Sequence, residues 1–229
     1  MTKQQSNKTE NQVIVNEYRS LIRAIKDKTN VEEKKNIRKA FNLAIEAHEN
    51  ARRKSGKLYI THPISVAKII ATEIGLGSTS IICGLLHDVV EDTSITLEEI
   101  KTNFGEEVSL IIAGLTKISG VAEADVSLQA ENFRKMILTI SNDIRVVLIK
   151  IADRLDNMRT LEYLKIDKQA RIASETLYLY APLAHRLGLY SIKTELEDLS
   201  LKYTDSEVYF SISKKLKETK DNREKYIKK

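Results

Sequence analysis

An all-α fold is what this sequence predicts, and three observations carry the prediction. The 229 residues hold only 2 prolines and 8 glycines. No Asn-Gly or Asp-Gly pair marks a β-hairpin. Apolar residues recur three and four positions apart through most of the chain, which is the period of an amphipathic helix. At 42% hydrophobic residues the chain can bury a sizeable core, and its length suits one domain or a domain with an appendage.

The elements follow in order. Ile37, Phe41, Ala44, Ile45 and His48 trace one face of a first amphipathic helix. That helix is expected to end near the basic loop Arg52-Arg53-Lys54-Ser55-Gly56-Lys57. Thr61-His62-Pro63-Ile64 reads as a helix start, because a proline in the first turn has no amide partner to lose. A helix from about Ser80 to Glu91 should follow, and Thr96-Leu97-Glu98-Glu99 has the spacing of a capping box that restarts helix until Gly105. Val108, Ile111, Ile112 and Leu115 continue at helical period. A polar loop from Ser119 to Ser127 is a candidate moving part, and Phe133, Ile137 and Ile140 carry the next helix. Ile144, Val147, Leu148, Ile151 and Leu155 define a strong apolar stripe, with Asp153 and Asn157 on a face of their own. From Ile172 to Leu201 a long helical pattern is interrupted at Pro182 and Gly188; Tyr178, Tyr180 and Tyr190 share its spacing and read as core or interface.

Charge and cysteine usage exclude several classes. The net charge of +5 resides in residues 211–229, where eight basic residues meet three acidic ones, so the rest of the chain is neutral overall. The basic character therefore belongs to a solvated helix or linker and does not call for a nucleic acid. Cys83 has no partner for a disulfide, the first residues lack the apolar core of a signal peptide, and no apolar run approaches membrane-spanning length. A cytoplasmic protein is expected, with no membrane partner.

The chemistry concentrates at Leu85-Leu86-His87-Asp88-Val89-Val90-Glu91-Asp92. On a helix, residues four apart share a face, which sets Glu91 over His87 and Asp92 over Asp88. So much negative charge in an apolar stretch needs water or a cation to neutralise it. His62, His87, Asp88 and Asp153 together would offer two nitrogens and two carboxylates to a first-row divalent ion, with positions left for water and a substrate oxygen. Glu91 and Asp92 would then orient a water, take its proton or return one to the leaving oxygen. Of the four histidines, His48 and His185 read as packed side chains.

Five motifs in order resemble the hydrolase domain of the Rel/SpoT alarmone enzymes over roughly residues 30 to 205. They are Arg53-Lys54-Ser55-Gly56, Tyr59-Ile60-Thr61-His62-Pro63, His87 to Asp92, Ala152-Asp153-Arg154-Leu155-Asp156-Asn157-Met158-Arg159-Thr160, and Tyr180-Ala181-Pro182-Leu183-Ala184-His185-Arg186-Leu187-Gly188. The resemblance implies an HD-domain helical bundle that binds a single Mn2+ and removes pyrophosphate from the ribose 3′ position of guanosine tetra- or pentaphosphate, giving GDP or GTP. By motif match, His62, His87, Asp88 and Asp153 hold the metal, Glu91 and Asp92 are the catalytic pair, and Arg53, Lys54, Ser55 and Asn157 meet the nucleotide. The basic pair also makes independent sense, since guanidinium binds phosphate and stacks on a base.

The expected organisation is a lead-in over 1–30, the HD hydrolase domain over 31–205, and a basic linker over 206–229 toward a synthetase domain that this chain does not include. Two positions depart from the family pattern. Asp156 stands where histidine is common and Asn50-Ala51 replaces a frequent Gly-Gln, and neither is expected to touch the ligand set. Two alternatives stay open at this point: an HD phosphohydrolase acting on another nucleotide, and a regulatory domain that binds alarmone without turnover.

Overall fold

The computed structural model describes residues 3–26, 29–119 and 143–219. Among these the chain is helical, and the one extended pairing is an isolated antiparallel bridge between Arg52 and Leu58. The predicted all-α class holds. The chain divides into two compact units, Met1–Asp156 and Asn157–Lys229.

In the first unit, α1 (Lys3–Ala24) precedes α2 (Val31–Ala47), which opens on a capping box: Asn30 accepts from the Glu33 amide and Glu33 accepts from the Asn30 amide. Ile37, Ala40, Phe41 and Ala44 form the buried face of α2. At its end Asn50 takes a left-handed φ of 63°, a conformation that asparagine tolerates second only to glycine. That is a physical reason for the residue found in place of the expected glycine. A tight turn follows, closed by Arg53 N–H donating to Lys57 O (2.9 Å) and Tyr59 N–H donating to Ala51 O (2.8 Å).

The next helix, α3 (Thr61–Ile69), starts where the Thr-His-Pro signal places it and widens into a π turn over Ile70–Ile74. The core is centred on α4 (Ser78–Leu86), in which every residue from Ser80 to Leu86 is buried. An element apolar on all sides must be covered on all sides, and α2, α3 and α7 (Glu106–Ser119) all pack against it. Between them lie the short α5 (Val89–Asp92) and α6 (Leu97–Phe104). The Thr96 capping box forms as predicted, and Gly105 ends α6 with φ 91°.

One expected element is divided. The helix anticipated from Ser80 to Glu91 breaks at His87-Asp88. His87 Nδ1 donates to Gly84 O at 2.8 Å, the acceptor that an uninterrupted helix gives to the Asp88 amide, and this competition ends the ladder. The amide of Asp92 still bonds Asp88 O (2.9 Å), so the i, i+4 relation between these two residues survives.

The unit closes with α8 (Ile144–Arg159), which belongs to it as far as Asp156. Val147, Ile151 and Leu155 are buried as the stripe predicts, whereas Ile144 is exposed and Val146 and Ile149 are core. The helix is covered on more than one side, which a single-stripe reading cannot anticipate. The expected loop from Ser119 to Ser127 and the helix carrying Phe133, Ile137 and Ile140 lie outside the described residues, apart from Ser119 at the end of α7.

In the second unit a 3₁₀ turn (Leu161–Tyr163) leads to α9 (Ile166–Glu175), a π turn over Thr176–Tyr180, α10 (Ala181–Arg186), α11 (Tyr190–Thr204) and α12 (Ser206–Glu218). The predicted interruption at Pro182 takes the form of that π turn: widening the backbone ahead of proline relieves the clash of its ring with the preceding turn. Gly188, at φ 76°, supplies the second break. Tyr180 is buried, while Tyr178 and Tyr190 are exposed, so only the first serves the core. The Tyr190 ring meets His185 edge-on at 5.5 Å, and α12 buries no residue.

Candidate metal centre

Four elements of the first unit deliver the site. His62 sits in the first turn of α3, where its amide bonds Tyr59 O at 2.9 Å and the Thr61 hydroxyl bonds Leu58 O at 2.8 Å. His87 and Asp88 occupy the break between α4 and α5, and Asp153 projects from α8. His62 Nε2, His87 Nε2 and an Asp153 oxygen lie within 4.8 Å of one another. Asp88 Oδ2 stands 3.0 Å from His87 Nε2 and 3.7 Å from His62 Nε2. The chain thus draws together the four residues picked as ligands from sequence.

Each imidazole is turned by a hydrogen bond on its far nitrogen. A carbonyl can only accept, so His87 Nδ1 carries a proton for Gly84 O and leaves Nε2 facing the carboxylates. His62 Nδ1 meets Asp156 Oδ2 at 2.5 Å, and its Nε2 lies 3.2 Å from Asp153 Oδ1. His87 is fully buried, and its Nε2 has no hydrogen-bond partner. An orphaned buried nitrogen among carboxylates is a costly arrangement unless something accepts its lone pair. Two imidazole nitrogens and two carboxylates fit a divalent cation, and the far-side hydrogen bonds are those that orient metal-binding histidines.

The electrostatics agree. Burial pushes the Asp153 carboxyl up, but the His62 hydrogen bond and the charge of Lys150, 3.8 Å away, hold it well below its ordinary range. Asp88 is likewise driven down, against burial, by His87, His62 and the Tyr59 hydroxyl. Burial lowers His62, yet its bonds to Asp153 and Asp156 outweigh that and lift it to about 9. These groups hold their charges without an ion only by pairing with one another.

The remaining sequence candidates lie as follows. Asp92 and Glu91 are exposed on α5, one turn from Asp88. Arg53 is half-buried and donates from Nη1 to Asp156 Oδ2 at 2.8 Å. Lys54 and Ser55 follow in the same turn, the first exposed and the second half-buried, and Asn157 begins the second unit.

Three residues join the site unannounced. Tyr59 donates its hydroxyl to Asp88 Oδ2 at 2.6 Å and approaches Asp92 Oδ2 at 3.1 Å. His48, expected to be a packed side chain, is buried with its ring 4.5 Å from Tyr59 and its Nε2 without a hydrogen-bond partner. Asp156, expected to stand apart from the ligands, touches His62 directly. Its position three residues after Asp153 on one helix was the available signal.

Comparison with known proteins accords with this geometry. The family described as the HD domain matches residues 40–190. A "GTP pyrophosphokinase" of Myxococcus xanthus is 51% identical over 195 residues, 83% of this chain and 26% of that protein. A "Guanosine-3′,5′-bis(diphosphate) 3′-pyrophosphohydrolase" of Aquifex aeolicus is 47% identical, covering 84% of this chain and 27% of that one. The "Bifunctional (p)ppGpp synthase/hydrolase SpoT" of Escherichia coli is 46% identical, over 85% and 28%. The chain thus spans about a quarter of the length of the curated relatives it matches. A solved structure reported as "A metazoan ortholog of SpoT hydrolyzes ppGpp and plays a role in starvation responses" shares the fold, with a TM-score of 0.53 at 24% identity over 72% of this chain and 93% of that one. The resemblance read from the ordered motifs is borne out, and the chain belongs to the HD domain family.

Proposed function

We propose that this chain hydrolyses guanosine 3′,5′-bis(diphosphate) and its pentaphosphate counterpart at the ribose 3′ position, releasing pyrophosphate and leaving GDP or GTP. The observation that carries the reading is the cluster of buried His62 and His87 with half-buried Asp153, with Asp88 beside it and an acidic pair on the exposed turn next to it. The name of the Aquifex relative states a 3′-pyrophosphohydrolase of guanosine-3′,5′-bis(diphosphate), and that of the Escherichia relative a (p)ppGpp hydrolase, for those proteins.

His62, His87, Asp88 and Asp153 would hold one divalent ion, proposed to be Mn2+. When bound, it supplies Lewis acidity, which makes water more acidic and offsets phosphate charge. The chain's own residues do the rest. Asp92 takes a proton from the water that attacks the proximal 3′ phosphorus, and Glu91 returns one to ribose O3′ as the phosphorus–O3′ bond breaks. Tyr59, its phenol kept protonated first by burial and then by Asp88 and Asp92, holds those two carboxylates in register. Arg53 and Lys54 bring positive charge to a nucleotide with four phosphates, with Ser55 and Asn157 completing the contact.

The catalytic domain is taken as residues 31–205, with 1–30 a lead-in and 206–229 a basic linker. The setting is cytoplasmic, the proposed partner is a synthetase domain of the same protein, and neither nucleic acid nor membrane is needed. Among the described residues, no helix is long and apolar enough to cross a membrane.

Phosphorus NMR of the purified chain with manganese and guanosine tetraphosphate tests the reading. Pyrophosphate and GDP should appear together. Orthophosphate released stepwise, or faster turnover of an unrelated nucleotide under competition, would assign the site to a different phosphohydrolase, and binding without turnover would make it a sensor.

A further inference from the structure

Asp156 is nearly buried, at 6% exposure, and a carboxylate so placed needs partners that repay its desolvation. It has three. One oxygen, Oδ2, accepts from His62 Nδ1 at 2.5 Å and from Arg53 Nη1 at 2.8 Å. The Ser65 hydroxyl also helps to hold this carboxylate below its ordinary range. These partners come from the turn after α2 and from two successive turns of α3, while Asp156 itself sits on α8, three residues beyond Asp153.

We propose that Asp156 is a positioning residue that couples the metal site to the nucleotide-binding turn. By accepting from Nδ1 it fixes the His62 tautomer and ring plane so that Nε2 faces Asp153 and Asp88. With the same oxygen it holds the Arg53 guanidinium, so the orientation of a metal ligand and of a phosphate-binding arginine depend on one atom. Its charge adds to the electron-donating power of the imidazole, as a carboxylate behind a metal-binding histidine does. This inference rests on the metal-centre reading above.

The test measures Mn2+ affinity by calorimetry, without substrate, for wild type, Asp156→Ala and the isosteric Asp156→Asn, alongside steady-state kinetics at saturating Mn2+. Asp156→Ala should bind Mn2+ about 10- to 100-fold more weakly. Asp156→Asn keeps a neutral acceptor and should recover part of that loss, remaining several-fold weaker than wild type. At saturating metal, kcat of Asp156→Asn should return toward wild type while KM stays raised, because Arg53 is no longer held by charge. A merely structural role would not split the two constants in this way. Asp156→Asn at wild-type Mn2+ affinity and KM would overturn the inference even if the alanine variant failed to fold. Wild type failing to bind Mn2+ would overturn the metal-centre reading, and this inference with it.

Discussion

The Tyr59 hydroxyl has one proton for two carboxylates, and at 2.6 Å it serves Asp88 better than Asp92 at 3.1 Å. Replacing it tests whether the register of those groups matters to turnover. Tyr59→Phe should lower kcat roughly 10-fold, less than the ~100-fold or more lost with a group that itself transfers the proton, because Tyr59 only positions the carboxylates; stability should change by about 1 kcal/mol, the worth of an ordinary hydrogen bond. Unchanged kcat would remove Tyr59 from the mechanism. The raised His62 has a second consequence, in chelated protein. Its folded value of about 9 exceeds the ordinary 6.5, so its stabilisation is complete below pH 6.5 and is lost as pH rises through about 9. Asp88, Asp153 and Asp156 are lowered and act oppositely, contributing above their ordinary range and failing as pH falls into acid. The melting temperature of EDTA-treated protein should therefore decline between pH 6.5 and 9, and manganese, which needs the neutral imidazole, should flatten that decline. A melting temperature that rises over this interval without metal would contradict the pairing of His62. At this scale the sequence disclosed the four ligand candidates, because their residue types are costly in apolar surroundings. It hid Tyr59 and His48, because an aromatic near an amphipathic helix reads as packing until its neighbours are known.

The site is held by the contact of α3 with α4, the helices that end or begin at its two histidines. Gly84 sits at that contact: a Cβ there would come 2.5 Å from Ile70 Cδ1 and 3.4 Å from Ala67 Cα. The isoleucine tip must move, and Ile70 is fully buried with no open space to move into, so Gly84→Ala should cost about 1–3 kcal/mol by overpacking. Because Gly84 O also orients His87, metal affinity should fall along with stability. Thermal unfolding and Mn2+ titration of this variant check both, and full stability with unchanged affinity would show that the contact is loose. Periodicity and caps made most elements legible, down to the Thr96 box and the Gly105 stop. They could not show the break at His87-Asp88, since it arises from a side chain taking a backbone acceptor, nor the π turns, whose backbone differs from helix while their sequence does not.

For the molecule as a whole, composition and punctuation were enough for the all-helical class, because that class depends on what is scarce as much as on what is present. The proposed mechanism has one ion and one acidic pair working together on a guanosine 3′-diphosphate. The measurement that tests this most directly is a titration of chelated protein with Mn2+, following bound metal and pyrophosphate release from guanosine tetraphosphate in the same samples, with Asp92→Ala in parallel. One ion per chain should bind, release should rise in step with it, and Asp92→Ala should bind the ion while losing release by about 100-fold or more. Pyrophosphate release that persists in chelator, or that survives in Asp92→Ala, would contradict the account.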